Sequence, residues 1–388
     1  MSGPSPSSVT TVPAAPVSHL PDGRLDVLDI LRGLAIAGMI LVHWHQRIGA
    51  EAGGWQDGIA WAVWVLVEQK SWGIFAFLFG VGFAVLLRRL EARGEVVVPM
   101  YLRRLAALAL FGIVAEVGFG FNVLFQYACW GLVLLAVGRW STGALLALAL
   151  GAACARPLVA WWTGTMPWAP DQSLTQAVAT AAQGSDYGAL ASARWALFQE
   201  ARIPDTWPEL LPDTNLVLFI LGLLALRHPV IEQPKRHLRL IVGWMSFGLL
   251  AWAAWWLVLR HLASDARTGA LASGFGLIQE QWLCFTYIGA VVLLLAYRPW
   301  WTERLALFGA AGRVALTNYL LQVAVVDVLA SGYGLGLRLA PAAYLLGAVL
   351  LFTAQALASR PWLERYRMGP LEWVWRVFTY WRPQPLRR

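Results

Sequence analysis

Apolar segments recur from one end of the chain to the other, and no water-soluble core could absorb them all. Ten lie near residues 28 to 46, 59 to 88, 102 to 119, 121 to 138, 142 to 163, 214 to 227, 240 to 260, 273 to 297, 304 to 330 and 340 to 359. Allowing for short and kinked members, each is able to span about 30 Å of hydrocarbon as a helix. Composition agrees: 59% of residues are hydrophobic, 13% are charged and the mean hydropathy is +0.57, against roughly half and a quarter in a soluble domain. Disordered, fibrous, disulfide-stapled and soluble-enzyme classes are excluded on this balance. The fold class expected is all-α, a polytopic transmembrane helical bundle of about ten spans.

The 388-residue chain carries a formal net charge of +8, and 28 of its 30 cations are arginine, mostly in short clusters between apolar segments. Membrane topology, not nucleic acid, accounts for that placement. With the N-terminus inside, 21 cations fall on the inner side and seven on the outer, so both termini are expected in the cytoplasm. Residues 1–23 have neither a basic start nor an apolar core and read as a disordered tail. Residues 24–163 and 214–360 hold two sets of transmembrane helices, and 361–388 form a cytoplasmic amphipathic basic tail. Between the helix sets, residues 164–213 carry an excess of acids and read as an extracytoplasmic loop or lid. Cys129, Cys154 and Cys284 are scattered through apolar stretches, so neither a disulfide framework nor a metal site is expected.

Ionisable side chains inside such spans cost ~3 kcal/mol each even on a mild insertion scale, which makes them functional candidates. At 100° per residue His43 shares a bundle-facing stripe with Asp29, Arg32, Gly33, Ile36 and Ile40, and Asp29 with Arg32 reads as a helix-end ion pair. Counting along each helix places His43, Glu68, Lys70, Glu116, Asn122, Gln126 and Glu280 at one depth in the outer half. That set has the makings of a hydrated chamber; a collection of separate satisfied pairs is the alternative. Glu68 and Lys70, two apart, cannot pair with each other. In the ninth segment Asn318 and Gln322 share one face while Arg313, Thr317 and Asp327 share another. Arg313, deep for a guanidinium, calls for an anion, a carboxylate or several carbonyls. On the inner side Arg88, Arg89, Arg93, Arg103 and Arg104 frame one short loop. A phosphate-rich co-substrate would fit there, and positive-inside topology explains them equally well.

Two C-terminal stretches are more specific. GRVALTNYLLQ at 312–322 followed by SGYGLGL at 331–337, and GPLEWVWR at 369–376, resemble the signature of the YeiB-like membrane proteins, catalogued as a domain of unknown function. LDILRGLAIAGMILV at 28–42 and KSWGIFAFLFGVGFAVLL at 70–87 resemble the opening of the same family, so the likeness covers almost the whole chain past residue 23. That family is grouped with transmembrane acyltransferases that include heparan-alpha-glucosaminide N-acetyltransferase. The resemblance implies a bundle that takes an acyl group from cytosolic acyl-CoA, acetyl-CoA foremost, and passes it to a hydroxyl or amine acceptor at the outer side of the membrane. Many members carry a Gly-Asp pair opening the fourth span and a histidine ending the third; Phe121, Asn122 and Val114 stand there instead, leaving His43 to supply the base.

On this reading His43 is general base or transient acyl acceptor, Glu116 or Glu68 orients it, and Asn122 and Gln126 donate to the developing oxyanion. Lys70, Glu280, Asn318 and Gln322 contact the acceptor, and Arg313 with Arg88, Arg89, Arg103 and Arg104 holds acyl-CoA. The partners expected are the lipid bilayer, a small-molecule, glycan or lipid acceptor, and a second copy in a homodimer, within a bacterial plasma (inner) membrane. A transporter or flippase using the same polar path is the alternative, and no internal repeat is visible to favour it.

Overall fold

The computed structural model describes residues 23–51, 53–94, 96–121, 123–165, 171–202, 211–257, 261 and 266–388, and every regular element among them is a helix. In chain order these are α1 (Gly23–Ile48), α2 (Trp55–Leu66), α3 (Lys70–Ala92), α4 (Val97–Ile113), α5 (Leu124–Val137), α6 (Thr142–Thr163), α7 (Gln172–Ala181) and α8 (Tyr187–Arg202). They continue as α9 (Thr214–Arg227), α10 (Leu238–Leu257), α11 (Ala266–Tyr297), α12 (Trp301–Arg304), α13 (Ala306–Arg313), α14 (Ala315–Ala330), α15 (Pro341–Arg365) and α16 (Pro370–Tyr380). A π-helical turn, Val114–Gly118, extends α4.

Among the described residues six helical stretches are long and apolar enough to cross a bilayer, or seven if the bent pair α13 and α14 counts as one span. The helices Leu124–Val137 and Thr214–Arg227 and the stretch Gln281–Tyr297 are apolar but shorter. Many large apolar side chains point outward: Leu150 is 68% exposed, Leu250 67% and Leu257 76%. An apolar surface on that scale is stable only against lipid, so the chain is a multi-pass membrane protein.

α1 is the hub, packed on α3, α13, α14 and α15, and it buries Ile30, Leu31, Ala35, Ile36, Met39 and Ile40. Small residues let backbones touch at two crossings. A Cβ on Gly33 would lie 2.0 Å from the Phe308 carbonyl oxygen, and one on Gly312 would lie 1.9 Å from that of Asp29. Gly80 and Gly222 do the same for α3 against α9. In lipid, where apolar burial gives helices no preference for each other, such close van der Waals contact is what holds them together.

Three local breaks shape the bundle. The long second apolar segment is interrupted at Gln69, a left-handed residue with φ 63°, which separates α2 from α3. The ninth segment is not one straight helix: α13 and α14 meet at Val314 with an 85° bend. This corrects the expected depth of Arg313, which ends α13 at the elbow and is exposed. A helix run straight through would have carried an unpaired guanidinium into hydrocarbon; the bend puts it at the surface instead. Third, the 164–213 region carries helices, α7 and α8, which fold back over one end of the bundle. α16 packs on α4 and α14 at the other end.

Candidate functional site

The α8 end holds most of the buried polar side chains. His43, 1% exposed, lies beneath Phe121, with ring centroids 4.1 Å apart, and Tyr319 meets it edge-on at 6.0 Å. Gln322 is fully buried, and its amide nitrogen stands 3.5 Å from His43 Nδ1. Among the described residues the Gln322 carbonyl and the Tyr319 hydroxyl have no hydrogen-bond partner. Unsatisfied polar atoms at this depth cost about 1–3 kcal/mol each when nothing meets them.

Above them α8 reaches down with arginines. Arg194, 3% exposed, donates from Nη1 to Asp327 Oδ2 at 3.0 Å and to the Gly118 carbonyl at 2.8 Å, while Nη2 bonds Asp327 Oδ1. Ser331 and Tyr333 also donate to Asp327, at 3.1 and 2.9 Å. Burial and then that bond push the Tyr333 phenol up to about 12. Arg202, eight residues on, meets Glu116 in the π-helical turn at 2.9 Å. Arg47 donates to the Gly120 carbonyl at 2.7 Å and lies over the Phe121 ring at 5.0 Å. The α7–α8 turn is further tied by the Gly332 amide, which donates to the Ala182 carbonyl at 2.8 Å.

Several residues expected in one chamber are therefore held elsewhere. Among the described residues, Glu116 bonds Arg202 and not His43, because the lid arginine reaches it first. Glu68 is turned toward Gln46, 2.7 Å away near the surface. Gln126 bonds Asp213, the residue that caps α9, so it braces a helix start. Lys70 is buried at the start of α3, within electrostatic reach of Cys284 on α11. Asn318 staples the elbow, donating to the Ala311 carbonyl at 3.1 Å and to Ser359 at 3.2 Å, while its own carbonyl accepts from Gln355. Asn122 and the side chain of Glu280 lie outside the described residues. Of the expected set, His43 and Gln322 meet.

The basic cluster also divides. Arg88 turns to the Leu226 carbonyl and Glu232, beside Arg139 and Arg227 in a pocket of about 310 Å³; Arg89 is exposed at the end of α3. Arg104 faces inward, 3.8 Å from the Trp375 ring, with Arg32 and Arg376 within electrostatic range. Arg103 faces away, toward Trp381. Asp29 and Arg32 form the expected i,i+3 pair, and Arg313 acts on Asp29 from the elbow.

The start of α14 is held by Glu372 of α16. Its carboxylate accepts from the Leu316 amide at 2.6 Å, the Thr317 amide at 3.1 Å and the Thr317 hydroxyl at 2.6 Å. Burial raises this carboxyl above the ordinary glutamate value by more than those bonds lower it. Tyr319, Arg194, Arg202 and Glu372 had no local signal of their own as site or closure residues. Tyr319 and Glu372 stood out only through the GRVALTNYLLQ and GPLEWVWR stretches and their resemblance to a family signature.

Comparison with known proteins places both halves. Residues 24–170 match the family described as heparan-alpha-glucosaminide N-acetyltransferase, catalytic, and residues 225–382 match the one described as protein of unknown function (DUF418). The chain is 29% identical to the uncharacterized protein YxaH of Bacillus subtilis, covering 95% of this chain and 97% of that one. It is 28% identical to an uncharacterized 39.9 kDa protein encoded beside an amylase in Bacillus acidopullulyticus, over 94% and 96% of the two chains. Identity to the uncharacterized protein YeiB of Escherichia coli is 26%, over 91% and 95%. No solved structure matches. The matches to the two halves, together with the full-length likeness to YeiB, support a YeiB-like DUF418 family related to the heparan-alpha-glucosaminide N-acetyltransferase group of membrane acyltransferases.

Proposed function

We propose that this protein is an acyl-CoA-dependent transmembrane acyltransferase with about ten crossings and both termini in the cytoplasm, in the plasma (inner) membrane of a bacterium. Acetyl-CoA is the donor, and a hydroxyl- or amine-bearing small molecule, glycan or lipid at the outer side is the acceptor. The observation that carries this reading is the buried imidazole flanked by the unpartnered Gln322 carbonyl and Tyr319 hydroxyl. Its place in the half that matches an acetyltransferase catalytic family adds support.

If the Gln322 amide is turned so that its carbonyl faces His43, Nδ1–H donates to it and the ring lone pair resides on Nε2. That nitrogen takes the proton of the acceptor hydroxyl or amine as its oxygen or nitrogen attacks the thioester carbonyl. Gln322 Nε2 and the Tyr319 hydroxyl donate to the oxyanion; the carbon–sulfur bond then breaks, and the imidazolium returns the proton to the departing thiolate. The phosphates of the donor would lie at the α16 end on Arg104, Arg32 and Arg313. Eleven residues of α1 separate Arg32 from His43, so the thioester must reach about 16 Å inward.

Purified protein given radiolabelled acetyl-CoA and a membrane extract as acceptor source tests this. Label transfer that falls by roughly 10²-fold or more in His43→Ala is the expected result; undiminished transfer would remove His43 from the chemistry. One feature favours a second reading, a transporter or flippase, because a broken span with a helix start in the membrane is a motif of substrate sites in carriers. Against it, the start of α14 is already taken by Glu372. Substrate uptake into proteoliposomes without any acyl donor would establish the carrier reading.

A further inference from the structure

α4 and α16 leave a groove of about 460 Å³ on the side of the bundle, lined by Leu102, Arg103, Ala106, Phe378 and Trp381. Two apolar stripes run into it. On α4, Val98 is 45%, Leu102 43% and Leu110 57% exposed, at helical spacing of four and eight. On α16, Val374, Phe378 and Trp381 stand outward at intervals of four and three. α16 is thus an amphipathic helix against the end of a spanning one, the arrangement of an element lying in the membrane interface. Arg103 sits between the stripes. Among the described residues its guanidinium has neither a carboxylate nor a hydrogen-bond partner, only the Trp381 ring 5.9 Å away.

An arginine set six residues into a spanning helix, open to a lipid-facing groove, is stable when an anion meets it at that depth. A free ion lacks anything to place against the two apolar stripes, whereas a phospholipid brings phosphate and acyl chains together. Arg376 and Arg382 are exposed at the same end, adding positive potential. We infer that the α4–α16 groove is a binding site for an anionic phospholipid of the adjacent leaflet, with Arg103 holding the headgroup phosphate, Trp381 at the interface and acyl chain along Leu102, Ala106 and Phe378. Because α16 also carries the Glu372 cap, the lipid bears on the start of α14 and, five residues further, on Gln322.

The test uses full-length protein in neutral detergent, titrated with phosphatidylglycerol or phosphatidylcholine and read by native mass spectrometry. Phosphatidylglycerol is retained in preference, and Arg103→Ala and Trp381→Ala each lower its retention. For Arg103→Ala the drop is roughly five- to tenfold, the worth of one interfacial arginine. Arg103→Lys, which keeps the charge, preserves the preference, so the loss in Arg103→Ala is not unfolding. Arg239→Ala, an exposed cation on α10, leaves retention unchanged. Equal retention of the two lipids overturns the proposal, as does an equal loss in Arg239→Ala, which would mean diffuse attraction. Displacement by inorganic phosphate would mean a soluble-anion site. Displacement by acetyl-CoA would mean that Arg103 belongs to the donor site; acetyl-CoA binding that persists while the lipid preference fails leaves the enzymatic reading standing.

Discussion

At the α8 end Arg194 and Arg202 descend from α8 and each finds a carboxylate, whereas at the α16 end Arg103 and Arg104, among the described residues, face aromatic rings and no carboxylate. The same residue type does opposite work. Desolvated with Asp327, Arg194 closes the molecule, and a pair of this kind is costly to break because its survivor stays charged in a dry place. Left without a counter-charge, Arg103 and Arg104 hold positive potential ready for an anion. One end is tied by internal ionic bonds, and the other keeps arginines stacked on aromatic rings.

The largest expected effect comes from breaking the closed end. Asp327→Ala strands Arg194 and should cost about 3–5 kcal/mol, read as a fall in the detergent melting temperature. Arg202→Ala removes a pair that is partly solvated, with side chains 14% and 12% exposed, so about 1–3 kcal/mol is expected. Faster protease cleavage between α7 and α8 should accompany it. At the α16 end Glu372→Ala releases the amides of Leu316 and Thr317, worth about 1–2 kcal/mol by thermal unfolding. The smallest effect belongs to Arg360→Ala: its pair with Glu364 is 3.9 Å apart with both side chains more than two-thirds exposed, so a change within about 0.5 kcal/mol is expected.

Acidity sharpens the contrast. Burial holds the Glu372 carboxyl above its ordinary value, so its folded form binds a proton more tightly than its unfolded form. Its contribution is greatest below the unfolded value and is lost as pH rises through the folded one. The wild-type melting temperature, relative to Glu372→Gln, should therefore rise as pH falls through the carboxylate range. Asp171, which accepts from the Ser173 hydroxyl and the Ser173 and Leu174 amides, is held low and behaves oppositely. Its contribution is present above the unfolded value and fades as pH falls through the folded one; a pH series on Asp171→Asn checks that sign.

The membrane class, the helical segments and the ion pair of Asp29 with Arg32 were legible because each follows from local composition or from spacing along one helix. His43 was legible as a bundle-facing residue for the same reason. Depth, however, does not specify azimuth. Glu116 and Gln126 lie at depths set by residue count, yet their partners come from α8 and from the Asp213 cap, whose approach no periodicity encodes. Arg313 misled because no proline marks the elbow at Val314, and the carboxylate that captures the next helix start, Glu372, comes from more than fifty residues away. The lid arginines had been counted only as outer-side charges.

The reciprocal contact of Gly33 with Phe308 and of Gly312 with Asp29 has a mechanical outcome. With no side chain between them, α1 and α13 cannot slide or roll without main chain striking main chain. The two are therefore keyed together as one rigid strut, and relative motion within the bundle is left to helices whose side chains stand between their backbones.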